Sequence, residues 1–306
     1  MNDERADELL MQGIALHRQG KLQEAEAVYR EILKHDDTHA DALHWLGMLA
    51  FDAGVAADPA DKLGTQQLTL AMLDEGTKTL DSIALAEAEE RLGASIYTSG
   101  SFDRTALGLR TPSANLAAAT QLWADIARDP VFSEADLSRV KTQQLTQIAQ
   151  ELTSPDGLAQ RVLLPRINAG TPYAKAGGSG DPKAVQALTR ADLVAFQQAW
   201  LRPDKAKLFV VSDRPLAEVR ALMEQRLGNW RMTGTGGTKS FPAQPTPLTP
   251  KILLIDRPDS PQSLISGGVQ TGLKGTDNLL PADVANDALG GGFLSPSSAV
   301  GGGHIV

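Results

Sequence analysis

The chain has 306 residues, with 29 Lys and Arg against 37 Asp and Glu, a formal net charge of -8, and 42% apolar residues. This balance excludes a disordered or collagen-like polymer and argues against a phosphate-binding surface as the main feature. The absence of cysteine excludes a disulfide framework and any thiolate metal site.

The length gives room for two domains with a sizeable core. The N-terminal MNDERADELLMQG has no basic region followed by an apolar run, and no 18-residue apolar stretch follows anywhere. The expectation for the chain as it stands is a cytoplasmic protein without signal peptide or membrane span. From Leu9 to Leu33 two helical patterns meet at Gly20, with Leu9, Gly13, Leu16, Ala25, Tyr29, Ile32 and Leu33 at helical spacing. This hairpin resembles a tetratricopeptide repeat, whose period is about 34 residues. Leu43, Leu46 and Gly47 echo Leu9, Gln12 and Gly13, and Gly54 echoes Gly20, but no second helix follows. Residues 1–50 are thus expected to form a partial repeat.

From Phe51 the texture becomes mixed. The stretch GTQQLTLAMLDEGT, Gly64 to Thr77, reads as an apolar helix running into an acidic turn. Asp81 is placed to cap a helix through Leu92 that stops at Gly93, and ASIYTSGS with TALGLR reads as two strands around a short turn. Ser113 to Ala127 is an Ala-rich helix. Ser133 with Asp136 starts a long helix to about Leu152, Pro155 opens the next to Ile167, and Thr189 with Asp192 starts one ending near Trp200. Leu208 to Ser212, LFVVS, reads as a buried strand, followed by a helix from Pro215 to Leu227. Strands alternating with helices predict an α+β fold, an antiparallel sheet with helices packed on it. Residues 232–250, rich in Gly, Pro and Thr, read as a linker. KILLID and QSLISGGV then read as the first strands of a second α+β domain, truncated within residues 251–306, with a helix from Pro281 to Leu289.

Several of these stretches in this order carry a resemblance: FDAGVAADPADKLGTQQLTLAMLDEGT, RLGASIYTSGSFDRTALGL, DPVFSEADLSRVK, ALTRADLVAFQQAWLRPDKAKLFVVSD and the late ALGGGF. Together, from about Phe51 to Phe293, they resemble the insulinase/pitrilysin family of zinc peptidases. The resemblance implies that residues 51–231 form the family's layered α+β domain without its first strands. In catalytic members the helix before the closing Gly-Thr carries an inverted H-x-x-E-H motif: two imidazoles hold zinc and the glutamate takes a proton from the bound water. Counted back from Gly76-Thr77, those places fall on Gln67, Leu70 and Ala71, and the third ligand's place falls near Gln147, with Glu151 one helical turn further on.

Composition bears on the same point without any alignment. The histidines are His17, His35, His39, His44 and His304, so none lies between Trp45 and Gly303. The resemblance therefore implies a degenerate, non-catalytic half or subunit with no catalytic, metal or cofactor residues of its own. Zinc is expected only in a catalytic partner, beside which this chain would act in peptide binding or chamber assembly. No nucleic-acid partner is expected. The strands Ala94 to Ser99 and Thr105 to Arg110 correspond to the region where catalytic relatives pair a peptide with a sheet edge. The Arg and Tyr pair that a degenerate half commonly supplies is missing, because neither residue type occurs after Phe293.

Other features have plainer readings. His35 and His39 in HDDTH fall in a polar turn, Gly177 to Asp181 (GGSGD) lacks the lysine of a phosphate loop, and Gly290 to Gly292 is a helix stop. Trp123, Trp200 and Trp230 read as core, and Glu87 to Arg91 as a solvated helix face. The rival readings are a tetratricopeptide scaffold that binds a partner, a composite zinc site shared with another chain, and a chimera joined between Trp45 and Asp58.

Overall fold

The computed structural model describes residues 47–175, 178–239, 248–258, 260, 263–269 and 278–286, with the isolated positions 9, 12 and 28. The tetratricopeptide-like hairpin, the HDDTH turn, all five histidines and the GGG stretch lie outside the described residues. Contacts divide the chain into two compact units, one of Met1–Leu145 with Gly180–Thr238 and one of Thr146–Ser179 with Lys239–Val306.

The first unit is built on an antiparallel sheet of β1 (Gly47–Phe51), β2 (Ser95–Gly100), β3 (Thr105–Arg110) and β4 (Ala206–Phe209), in the order β2-β3-β1-β4. Alternation along the strands decides what each face does. The register pairs Leu49 with Leu107 and Ile96 with Leu109, so these apolar side chains share one face, where they are buried. Helices α1 (Thr65–Ala71), α2 (Ser82–Leu92) and α3 (Leu116–Arg128) join that core. On α3, Ala119, Trp123 and Ile126 recur at helical spacing, and the Trp123 Nε1–H donates to the Leu107 carbonyl at 3.2 Å. Phe51 meets Trp230 edge to face, with ring centroids 6.3 Å apart. On the other face Tyr97 stands opposite Gly108. A Cβ on Gly108 would lie 2.1 Å from Tyr97 Cζ, so the tyrosine ring covers the glycine directly.

Most helix ends follow their local chemistry. Asp81 accepts from the Ala84 amide at 2.9 Å, and α2 closes on Gly93 at φ +56. Ser133 caps α4 (Glu134–Thr153), whose last residues belong to the second unit, while Thr189 and Asp192 form a capping box at the start of α7 (Arg190–Trp200). Asp181 caps the short α6 (Pro182–Ala187), and α8 (Leu216–Leu227) begins after Pro215. Phe132 is the one described non-glycine residue with positive φ; its side chain is buried, and Arg190 donates to the carbonyls of Val131 and Phe132. Trp123, Trp200 and Trp230 are core residues, as the sequence reading has them.

Two expectations need correction. The strand expected at Leu208 to Ser212 lies at Ala206–Phe209, and it is the outermost of the described strands on its side, with Lys207 and Leu208 exposed. Its ladder with β1 runs from Phe51↔Ala206 to Met48↔Phe209, and at a sheet edge an apolar run is covered on one flank only. In the second unit KILLID and the described part of QSLISGGV are not strands. Residues 251–258 and 263–269 carry no regular structure and pair with no strand among the described residues. This unit contains α5 (Pro155–Ile167), which starts with Ser154 capping Gly157, and α9 (Leu280–Asn286). No helix among the described residues is long and apolar enough to cross a membrane.

Candidate functional site

The helix α1 is where a metal would sit by the sequence argument, and it is fixed from its N-terminus. Asp58, 1% exposed, accepts from the Gly64 amide at 2.7 Å through one carboxylate oxygen and from the Gln66 amide at 2.8 Å through the other. A carboxylate there satisfies orphan N–H groups and complements the positive end of the helix. Gly64 adopts φ +105, and a Cβ on it would come within 2.6 Å of Val185 and 2.9 Å of Gln144. The Gln144 amide of α4 donates to the Gly64 carbonyl at 3.2 Å. Two residues after Gly64, Gln66 donates to Thr105 Oγ1 at 2.9 Å, and that hydroxyl donates to the Ala53 carbonyl at 2.6 Å. Lys62, just before the helix, is tied to Asp192 of α7.

Against this frame the sequence-derived positions separate. Leu70 is in the core, Gln67 is half-buried and Ala71 is exposed, all three on α1; Gln147 is exposed on α4. A zinc site takes imidazole, thiolate or carboxylate ligands, and these four side chains offer two amides and two alkyl groups. The donor set does not fit zinc. Glu151 does not repair it, since its carboxylate accepts from Arg161 Nη2 at 2.8 Å and Nε at 3.1 Å, and from the amide and hydroxyl of Ser179. A metal there would have to displace a guanidinium and two hydrogen bonds. Among the described residues no group of three or more His, Cys, Asp or Glu is placed to hold an ion.

The acidic turn that follows α1 is organised around charge instead. Glu75 and Asp136 share Arg139. Burial pushes the Asp74 carboxyl above its ordinary range, and burial likewise raises Glu89 of α2, a shift that the Asp74 charge reinforces and the Ile96 amide opposes. The GGSGD loop proves to be held on both sides of its serine: Ser179 is bound to Glu151, and the Asp181 amide donates to the Leu63 carbonyl at 3.1 Å. Its glycines Gly178 and Gly180 both have positive φ.

Sequence reasoning missed Asp58, the Gln66–Thr105 link and the Glu151–Arg161–Ser179 cluster. The first acts on amides six and eight positions away, outside any local capping pattern, and the others join residues 39, 10 and 28 positions apart. Only a three-dimensional frame brings them together.

An antiparallel sheet with helices packed on it, and no group of three or more His, Cys, Asp or Glu placed to hold an ion among the described residues, defines the class: a layered α+β domain. Two family profiles match consecutive parts of the chain, the insulinase family (peptidase family M16) over residues 30–176 and the peptidase M16 inactive domain over residues 187–299. The chain belongs to the insulinase family. The first of these matches begins within the stretch that the sequence alone assigns to a partial repeat. Among curated proteins the chain is similar to the non-peptidase homolog YmxG of Helicobacter pylori, 28% identical over 47% of this chain and 33% of that one. It is also similar to cytochrome b-c1 complex subunit 1 of Bos taurus mitochondria, 26% identical over 64% of this chain and 39% of the relative. Among solved structures, a peptidase M16 inactive domain from Pseudomonas fluorescens superposes with a TM-score of 0.61 at 29% identity, covering 66% of this chain and 49% of that one. The chain thus spans a third to two-fifths of the curated relatives' length, and about half of the solved one.

Proposed function

We propose that the chain is a non-catalytic member of its family that works beside a catalytic half or subunit, closing a peptide-holding chamber without cleaving peptides itself. The observation that carries this reading is α1, which is fixed in place by Asp58, Gly64 and Gln66 and carries Gln67, Leu70 and Ala71 at the places that the resemblance assigns to two imidazoles and a carboxylate. The relatives support it: one is a non-peptidase homolog, one is a subunit of a larger complex, and one is an inactive domain. For peptide binding the support is the outer strand β2, whose far edge has no neighbouring strand among the described residues, although at Ile96 its amide is already bound to Glu89 at 2.9 Å, so an added strand would pair beyond that residue.

The test uses the tag-free chain alone and mixed with a catalytic insulinase-type subunit. Metal analysis is expected to find zinc only in the mixture, in proportion to the catalytic subunit, and hydrolysis of a quenched fluorescent peptide only there. Stoichiometric zinc and EDTA-sensitive cleavage by the chain alone would overturn the proposal.

A further inference from the structure

We infer that residues 233–238 form a latch: a strap clamped over Trp200 that opens by itself, before the rest of the first unit, and lengthens the chain leading away from that unit. By composition the stretch TGTGGT is expected to be loose, since its three glycines and three exposed threonines bring no apolar side chain to a core. Instead it is held at both ends. Trp230 is buried and Met232 packs against the core, which fixes where the strap begins. Arg202 Nη1 donates to the Thr233 carbonyl at 3.0 Å, the Gly237 amide donates to the Ala199 carbonyl at 2.8 Å, and Lys205 Nζ donates to the Gly237 carbonyl.

The seat admits only glycine. A Cβ on Gly237 would lie 2.4 Å from Trp200 Cε2, and one on Gly236 would lie 2.6 Å from Lys205 Cε, so the backbone rests directly on the ring and on the lysine stem. Lys205 Nζ also stands 5.7 Å from the Trp200 ring centroid, so one ammonium serves both the indole and the strap. Arg202, which holds the other end, is itself buried and braced by Asp204 at 2.9 Å and by the Gln198 carbonyl at 3.2 Å.

The holding side chains thus come from the end of α7 and the turn after it, whereas the strap brings only backbone to the contact. Release breaks three hydrogen bonds and uncovers part of one ring; it is favoured by the freedom that six residues, three of them glycine, regain. Six freed residues add at most roughly 20 Å of extended reach. Every group that holds the strap lies in the first unit, so the inference is independent of the chamber reading.

Native-state hydrogen exchange of the full chain tests it. The Gly237 amide is expected to be protected, yet to exchange through an opening that low urea does not accelerate, while amides in the middle of α7 follow global unfolding and its urea dependence. Lys205→Met, which keeps a stem of similar length and removes the catch, should speed exchange at Gly237 about tenfold and leave α7 unchanged. Gly237→Val should hold the strap open: acrylamide quenching of Trp200, read as the difference from Trp200→Phe in the same background, should rise with the circular dichroism spectrum unchanged. The inference is overturned if Gly237 is unprotected in the parent, if its exchange shares the urea dependence of α7, if Lys205→Met leaves that exchange as slow as before, or if Gly237→Val leaves Trp200 equally shielded.

Discussion

Replacing Asp58 tests whether α1 is held by its buried cap, independently of any metal. Each carboxylate oxygen receives one backbone N–H, from Gly64 at 2.7 Å and Gln66 at 2.8 Å, and the residue is 1% exposed, so no solvent substitutes for it. Hydrogen bonds to a charged group are worth about 1.5–3 kcal/mol each, and removing the acceptor leaves two buried donors unsatisfied. Asp58→Ala should therefore cost about 3–5 kcal/mol. Asp58→Asn keeps one accepting oxygen and turns an NH2 group towards the other amide, which should cost about 2–3 kcal/mol. For a unit of this size about 3 kcal/mol corresponds to roughly 6–12 °C in Tm. The assay is urea unfolding followed by tryptophan fluorescence, because Trp123, Trp200 and Trp230 are all buried in the first unit and report on it alone. A loss below about 1 kcal/mol for Asp58→Ala would refute the reasoning, since it would mean that the helix end finds other partners.

Three further outcomes follow from the same contacts. Burial raises the Asp74 and Glu89 carboxyls, so the native state binds more protons than the unfolded chain; their contribution is fully present below the ordinary values of 3.8 and 4.5 and is lost as pH rises through the raised ones. Asp74→Asn should accordingly be more stable than the parent near neutral pH and lose that advantage on acidification, which urea midpoints at two pH values would show; a pH-independent difference would contradict the sign. Gly108→Ala places a methyl group 2.1 Å from Tyr97 Cζ and should cost about 1–3 kcal/mol, relieved when Tyr97→Ala is made in the same chain, as a double-mutant cycle would measure. Arg161→Ala leaves Glu151 without its guanidinium, and hydrogen exchange at the Ser179 amide, which donates to that carboxylate, should accelerate about tenfold or more; unchanged exchange would mean that the ion pair does not hold the loop.

What the sequence made legible was the part of the fold written in short-range chemistry. Asp81 and Gly93 bracket α2 because a carboxylate reaches an amide three residues on and glycine accepts φ +56. Thr189 and Asp192 announce α7 in the same way. The run LFVVS misled because four apolar residues look alike in a central strand and at an edge, and only the pairing of β4 with β1, its one partner strand among the described residues, distinguishes them. KILLID misled for the converse reason: its strand propensity is real, but propensity supplies no neighbour. For the site, the missing imidazoles could be read from the letters, whereas Asp58 could not. Its amide partners are defined by how the chain folds back between residues 58 and 66.

The two halves of the α1 story explain one another. The groups that hold the helix, Asp58 at its N-terminus, Gly64 in its left-handed conformation and Gln66 on Thr105, are neither at nor adjacent in role to positions 67, 70 and 71. Leu70 packs in the core, and Ala71 faces solvent, where a good helix former is favourable. A helix anchored from one end by backbone chemistry does not need a cation to stay in position, so ligand side chains can be absent without cost to the fold. Position 70 is the exception to this separation: histidines at 67 and 71 would stand at half-buried and exposed places, whereas a glutamate at 70 would put a carboxylate into the core.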